Sequence, residues 1–236
     1  MASVTKPVTA IALMQLVERG LLSLTDPVQR YIPEFSGPGK ELIRVEHLLT
    51  HTSGLPDMLP ADQVLRERHA QLPEFAEQVC CCDLLFAPGT KVSYQSMGTL
   101  MAAKIVERIS QRSLREVMAT EIFTPLQMTS TSLGLRNDLL PRLNEVLLPE
   151  EQLDTSYHWT MAGLGEEDRR HHLWGLGWRL GAWGERSSPT TFSHGGATGT
   201  LVGADPETGL ACAVFTTKLG APLHKVVNAV QAAVVN

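Results

Sequence analysis

Three short groups of residues combine types and spacings that can do chemistry. The first is Ser3-Val4-Thr5-Lys6. A spacing of three puts Ser3 and Lys6 one helical turn apart on one face. A serine hydroxyl is a weak nucleophile until a base takes its proton, and a lysine whose charged form is disfavoured by burial can be that base. A helix start adds free backbone N–H groups for developing negative charge. The same residues also fit a plain N-cap followed by a solvated lysine.

The second group is Tyr94-Gln95-Ser96, between the turn Ala87-Pro88-Gly89 and a predicted helix. A tyrosine near a cation loses its proton more readily and can act as a general base. Ser96 can cap the helix or touch a substrate; a packed tyrosine beside an N-cap is the plain alternative. The third group, His194-Gly195-Gly196-Ala197, comes just after a predicted strand. Glycines let backbone approach a ligand closely, and an N–H beyond them can join that of Ser3 in an oxyanion hole. A glycine-rich hairpin or bulge explains the same letters without chemistry.

The elements that must position these groups follow from periodicity. Residues 7–19 read as a helix, with Pro7 in its first turn and Gly20 as its stop. Short helices are expected from Asp26-Pro27 to about Ile32 and over 45–50, the latter closed by the turn Thr52-Ser53-Gly54. Ser36-Gly37-Pro38-Gly39 is a loop. Residues 62–84 read as mostly helical with a break at Pro73, followed by helices over 97–109 and 114–123. From about 125 to 172 the pattern is irregular. Strands are expected over 173–182, 190–193, 200–204 and 210–217, the last two joined by Asp205-Pro206-Glu207-Thr208-Gly209, and a helix over 222–235. The sum is an α/β fold: an antiparallel sheet flanked by helices, with a mainly helical second lobe.

Composition narrows the function classes. With 236 residues, 43% of them hydrophobic, the chain can bury a sizeable core. A net charge of −5 argues against a nucleic-acid partner. No apolar stretch approaches the ~18 residues of a membrane span. Met1 is followed at once by the first motif, with no leader, which reads as a cytoplasmic protein. Cys80, Cys81 and Cys82 on one helix point in different directions and match no zinc spacing, as expected of ordinary helix residues in a reducing compartment. His158, His171 and His172 do not read as a metal site, because adjacent histidines rarely share one ion. Gly195-Gly196-Ala197-Thr198-Gly199 lacks the Lys-Ser/Thr pair of a phosphate loop. Neither metal nor cofactor is expected.

Taken in order, Ser-x-x-Lys, Tyr-x-Ser and His-Gly-Gly resemble the three motifs of the penicillin-binding-protein and class C β-lactamase-like family, which includes D-alanyl-D-alanine peptidases and esterases. His47-Leu48-Leu49-Thr50-His51-Thr52-Ser53-Gly54-Leu55 and Trp174-Gly175-Leu176-Gly177-Trp178 are similar to that family too, over about residues 2–125 and 173–234. The resemblance implies one β-lactamase-like domain over 1–236, with a helical lobe of about 26–172 and a sheet lobe from 1–25 and 173–236. It implies that Ser3 is acylated, that Lys6 accepts or relays its proton, and that Tyr94 is the general base that later protonates the leaving group. Ser96, His194, Gly195, Gly196 and Ala197 would bind substrate, the Ala197 N–H completing the oxyanion hole with that of Ser3. The His51 turn reads as scaffold.

Two departures shape the expected substrate. His194 replaces the lysine that pairs with a β-lactam carboxylate, and a neutral imidazole is a weaker carboxylate partner than an ammonium. Ser96 replaces an asparagine that recognises amides. Both tilt the expectation towards small neutral esters, with a β-lactamase, a D-amino-acid peptidase or a catalytically silent scaffold as alternatives. A third departure is that family members place strands before the Ser-x-x-Lys helix and a helical segment near 162–173. Only Met1 and Ala2 precede Ser3, so the expectation is a fragment, an alternative start or a degenerate copy, less stable and less active than an extended one.

Overall fold

The described residues of the computed structural model are 2–142, 174–181, 183–216 and 221–234. Ala2–Val4 form a 3-10 turn that runs directly into α1 (Thr5–Glu18). The helix starts two residues before the predicted 7–19, because Pro7 sits in the first turn, where its missing N–H has no intrahelical acceptor to serve. It stops where the Gly20 N–H reaches Val17 O at 2.9 Å and the Leu21 N–H reaches Leu16 O at 3.0 Å, satisfying the last carbonyls.

The chain divides into two compact units, one holding residues 2–7 and the described residues from 174 onward, the other residues 8–142. The division between them falls inside α1. Side chains of α1 tie it to the larger unit: Gln15 donates to Glu121 O at 3.1 Å, and Arg19 pairs with the Glu121 carboxylate at 2.7 Å.

The larger unit is helical. It contains α2 (Val45–Leu49), α3 (Asp62–Glu67), α4 (Leu72–Cys81), α5 (Met97–Ser110) and α6 (Leu114–Val117), which continues as a π-helical segment, Met118–Phe123. Val28–Arg30, Lys40–Leu42 and Asn137–Arg142 are 3-10 turns. α5 is the centre: Met101, Ala102, Ile105 and Val106 are fully buried, and the helix packs against α2, α4 and α6. Each buried side chain of Leu, Ile or Met size contributes about 1.5–3 kcal/mol relative to exposure. Pro73 does not break a long helix. It lies in the first turn of α4, and the break precedes it, at left-handed His69 (φ 55°). The three adjacent thiols differ as expected on a helix end: Cys80 is buried, Cys81 exposed and Cys82 half-buried, all free.

The smaller unit is a four-stranded antiparallel sheet in the order β1 (Arg179–Leu180), β2 (Phe192–Gly196), β3 (Thr200–Asp205), β4 (Leu210–Phe215). α7 (Leu223–Val234) packs on β4. The strand predicted over 173–182 is mostly a turn: Trp174 bridges back to Arg179, Gly175 N–H donates to Trp178 O at 2.8 Å, and only two residues pair with β2. Gly203 is held to a bare hydrogen by its neighbour, since a Cβ there would meet the Trp183 ring at 2.5 Å. The predicted irregular stretch over 143–172, His158, His171 and His172, and the ends of the expected elements at 173, 182, 217 and 235 lie outside the described residues. Among the described residues, no helix is long and apolar enough to cross a membrane.

Candidate active site

Ser3 sits in the 3-10 turn and Lys6 in the first turn of α1, both half-buried. Lys6 Nζ lies 3.1 Å from Ser3 Oγ. The i, i+3 spacing produces this contact locally, with no help from distant residues. As an ammonium, Lys6 donates to the hydroxyl; as a free amine it would accept the hydroxyl proton along the same line.

The 3-10 turn packs against β2, which carries His194, Gly195 and Gly196 of the third motif, and against β3. His194, Gly195 and Gly196 lie inside β2, not after it, opposite Val202, Leu201 and Thr200. Ala197 begins a three-residue hairpin loop. It closes through the Gly199 N–H to Gly196 O at 3.1 Å, with Gly199 left-handed (φ 74°), a conformation glycine adopts without strain. The His194 side chain is 2% exposed. Its ring lies 5.4 Å from that of Trp174, tilted by 60°. Nδ1 is 2.7 Å from Gly195 O, and since a carbonyl only accepts, Nδ1 carries the proton. Burial first, and then the Lys6 charge, lower the His194 pKa from 6.5 to about 4 against the opposing Gly195 bond, so the ring is neutral at physiological pH. The accessible part of this motif is backbone: Gly195 is exposed, and Gly196 and Ala197 are half-exposed.

The second motif belongs to the helical unit and alternates in burial. Tyr94 and Ser96 are half-exposed, while Gln95 between them is fully buried. Gln95 is an anchor that its place as a spacer in Tyr-x-Ser conceals. Its Oε1 accepts from Ser53 Oγ at 2.8 Å, its Nε2 donates to His47 O at 3.5 Å, and its backbone N–H reaches His51 Nδ1 at 3.4 Å. The turn after α2 is thus a brace for the Tyr94 loop. Gly54 at its tip is left-handed (φ 81°), and a Cβ there would meet Phe86 O at 2.2 Å. The Leu85 N–H donates to Gly54 O at 2.8 Å and the Gly89 N–H to Thr52 O at 2.8 Å, tying the two loops together.

Ser96 occupies the N-cap position of α5, but its side chain makes no capping bond. Its hydroxyl instead donates to Asp57 Oδ1 at 2.7 Å. Asp57 carries no motif letter, and nothing in the local sequence pairs it with a residue 39 positions away. Ser3, Lys6 and the 194–197 strand therefore share one unit, and Tyr94 and Ser96 share the other. Among the described residues no cluster of His, Cys, Asp and Glu has the composition of a metal site.

The family model described as Beta-lactamase matches residues 1–147 and 138–236. Esterase EstB of Burkholderia gladioli is 36% identical over 143 residues, which cover 54% of this chain and 36% of EstB. Protein flp of Staphylococcus aureus strain N315 is 26% identical over 140 residues, 58% of this chain and 28% of that protein. The chain thus matches about a third of the length of these relatives. A penicillin-binding protein homolog from Caulobacter crescentus superposes with a TM-score of 0.79 at 18% identity, covering 99% of this chain and 82% of its own. A family VIII carboxylesterase gives 0.77 at 18% identity, covering 93% and 77%. At such identities the solved structures show a shared fold.

Proposed function

Because the chain belongs to the Beta-lactamase family, we propose that it is a serine hydrolase that forms an acyl-enzyme on Ser3 and acts on small esters. The observation that carries this reading is the Lys6 Nζ to Ser3 Oγ contact of 3.1 Å at a helix start. In acylation, Ser3 Oγ bonds to the ester carbonyl carbon while its proton passes to the neutral Lys6 amine. The oxyanion is held by backbone N–H groups, those of Ser3 and Ala197 being the assigned donors. Collapse breaks the bond to the alkoxy oxygen, which leaves as the alcohol after taking up a proton, and Tyr94 is assigned to that transfer. Water then attacks the acyl carbon, releasing the acid and restoring Ser3.

Similarity to an esterase supports ester substrates. So does His194: a buried neutral imidazole supplies no fixed positive charge for the carboxylate of a β-lactam. The test is kcat/KM for p-nitrophenyl butyrate against nitrocefin. A preference for the ester is expected. A strong preference for nitrocefin would contradict the ester reading, and well-folded protein inert to both would point to a silent scaffold.

A further inference from the structure

We infer that Asp57 determines substrate charge, making the Tyr94–Ser96 loop favour substrates that carry a protonated amine over those that carry a carboxylate; this rests on the hydrolase reading above. The geometry begins with the alternation of the loop. Gln95 is locked inward, so Tyr94 and Ser96 are the side chains presented at the surface of this unit. The Ser96 hydroxyl has one hydrogen, and at 2.7 Å it is committed to Asp57 Oδ1. What Ser96 then offers a ligand is lone pairs, and Asp57 adds the lone pairs of its carboxylate. The pair is a patch of acceptors with no donor. A group that meets it favourably must donate, as an ammonium or an amide N–H does. A carboxylate has nothing to donate and is repelled.

The charge is also left standing. Asp57 is half-exposed, and among the described residues no ion pair includes it. The backbone leading to Asp57 is held as well. Leu55 N–H donates to buried Ser53 Oγ at 3.1 Å, and Pro56 stiffens the step to Asp57. An unneutralised anion bonded to Ser96, the residue assigned to substrate binding, acts over several ångströms, and added salt weakens it.

Three p-nitrophenyl esters of equal chain length test this: hexanoate (neutral), ε-aminohexanoate (cationic) and the adipate half-ester (anionic). In wild type, kcat/KM should run cationic, neutral, anionic, with the cationic-to-anionic ratio at least about tenfold at low salt. The ratio should shrink as salt rises from about 0.05 M to about 0.5 M. Asp57→Asn keeps an oxygen to accept the Ser96 hydroxyl but removes the charge, and should bring the ratio close to one; Asp57→Glu should keep most of it. A bond that merely pins the loop would lower all three esters alike in Asp57→Asn and leave the ratio and its salt dependence untouched, which would overturn the inference. Should Asp57→Asn fail to fold, the salt series on wild type decides. Turnover of the hexanoate with a flat charge profile would contradict this inference alone, whereas failure of all three esters would contradict the hydrolase reading and this inference with it.

Discussion

The rings of His51 and Tyr94 lie with centroids 4.8 Å apart and planes tilted by 46°. The backbone on both sides of Tyr94 is tied to the same histidine: the Ser93 N–H donates to His51 O at 2.9 Å, and the Gln95 N–H reaches His51 Nδ1 at 3.4 Å. His51 is left-handed (φ 59°), which turns its carbonyl towards the Tyr94 loop. Given the role proposed for Tyr94, His51 acts by positioning it, and His51→Ala should lower kcat for p-nitrophenyl butyrate by roughly tenfold or more with a smaller change in KM, because a loosened group near the chemistry costs rate first. His51→Asn should recover part of the loss, since asparagine tolerates a left-handed backbone and offers an acceptor oxygen. Steady-state kinetics on the two variants check this; unchanged kcat in His51→Ala would contradict it.

Gln95 and Gly98 should be energetically coupled. A Cβ on Gly98 would meet Gln95 Nε2 at 2.7 Å, and Gln95 is fully buried and held by its bonds to Ser53 and His47. Gly98→Ala should therefore cost about 1–3 kcal/mol by overpacking. In the double variant with Gln95→Ala the obstacle is gone, and the combined loss should fall short of the sum by at least about 1 kcal/mol. Urea unfolding of the four proteins of this cycle measures the coupling; strict additivity would contradict it.

His194 should make stability depend on pH in a defined window. Its folded pKa is lowered from 6.5 to about 4. Between those values the unfolded chain binds a proton that the folded chain refuses, so stability is full above pH 6.5, falls as pH drops, and levels off below about 4. The shift corresponds to about 3 kcal/mol in all. His47, half-buried and also lowered, adds to the same sign. Asp205, lowered from 3.8 to about 2 mainly by its Ser188 bonds, acts only at lower pH. Thermal melting at pH 7 and pH 5 should show a drop in Tm that His194→Asn, which keeps a donor for Gly195 O, clearly reduces. An equal drop in both proteins would contradict the assignment.

Legibility in the sequence followed range. Ser3 and Lys6 meet because of helical spacing, and β3 and β4 pair across a hairpin marked by Asp205-Pro206-Glu207-Thr208-Gly209, so nearby letters were enough. The antiparallel sheet and helical second unit followed from the same periodicities. Long-range side-chain choices were not visible. Ser96 reads as an N-cap, yet its hydroxyl turns to Asp57; Gln95 reads as a spacer, yet it fastens two loops through Ser53 and His47. His194 stands out by its motif position, but its burial in β2 beside Trp174 is a long-range outcome that its neighbours in sequence do not announce. The Trp174–Trp178 stretch looks like a strand by composition and folds back on itself because Gly177 takes a left-handed turn (φ 81°).

The nucleophile can be located directly. Wild type, Ser3→Ala and Tyr94→Phe are incubated with an alkyl fluorophosphonate, and the adduct is mapped by peptide mass spectrometry. Wild type should carry one adduct, on Ser3. Ser3→Ala should carry none, and Tyr94→Phe should label on the order of 10²-fold more slowly, the usual scale for losing a proton-transfer group. An adduct on any other serine, or no adduct on well-folded wild type, would contradict Ser3 as the acylated residue.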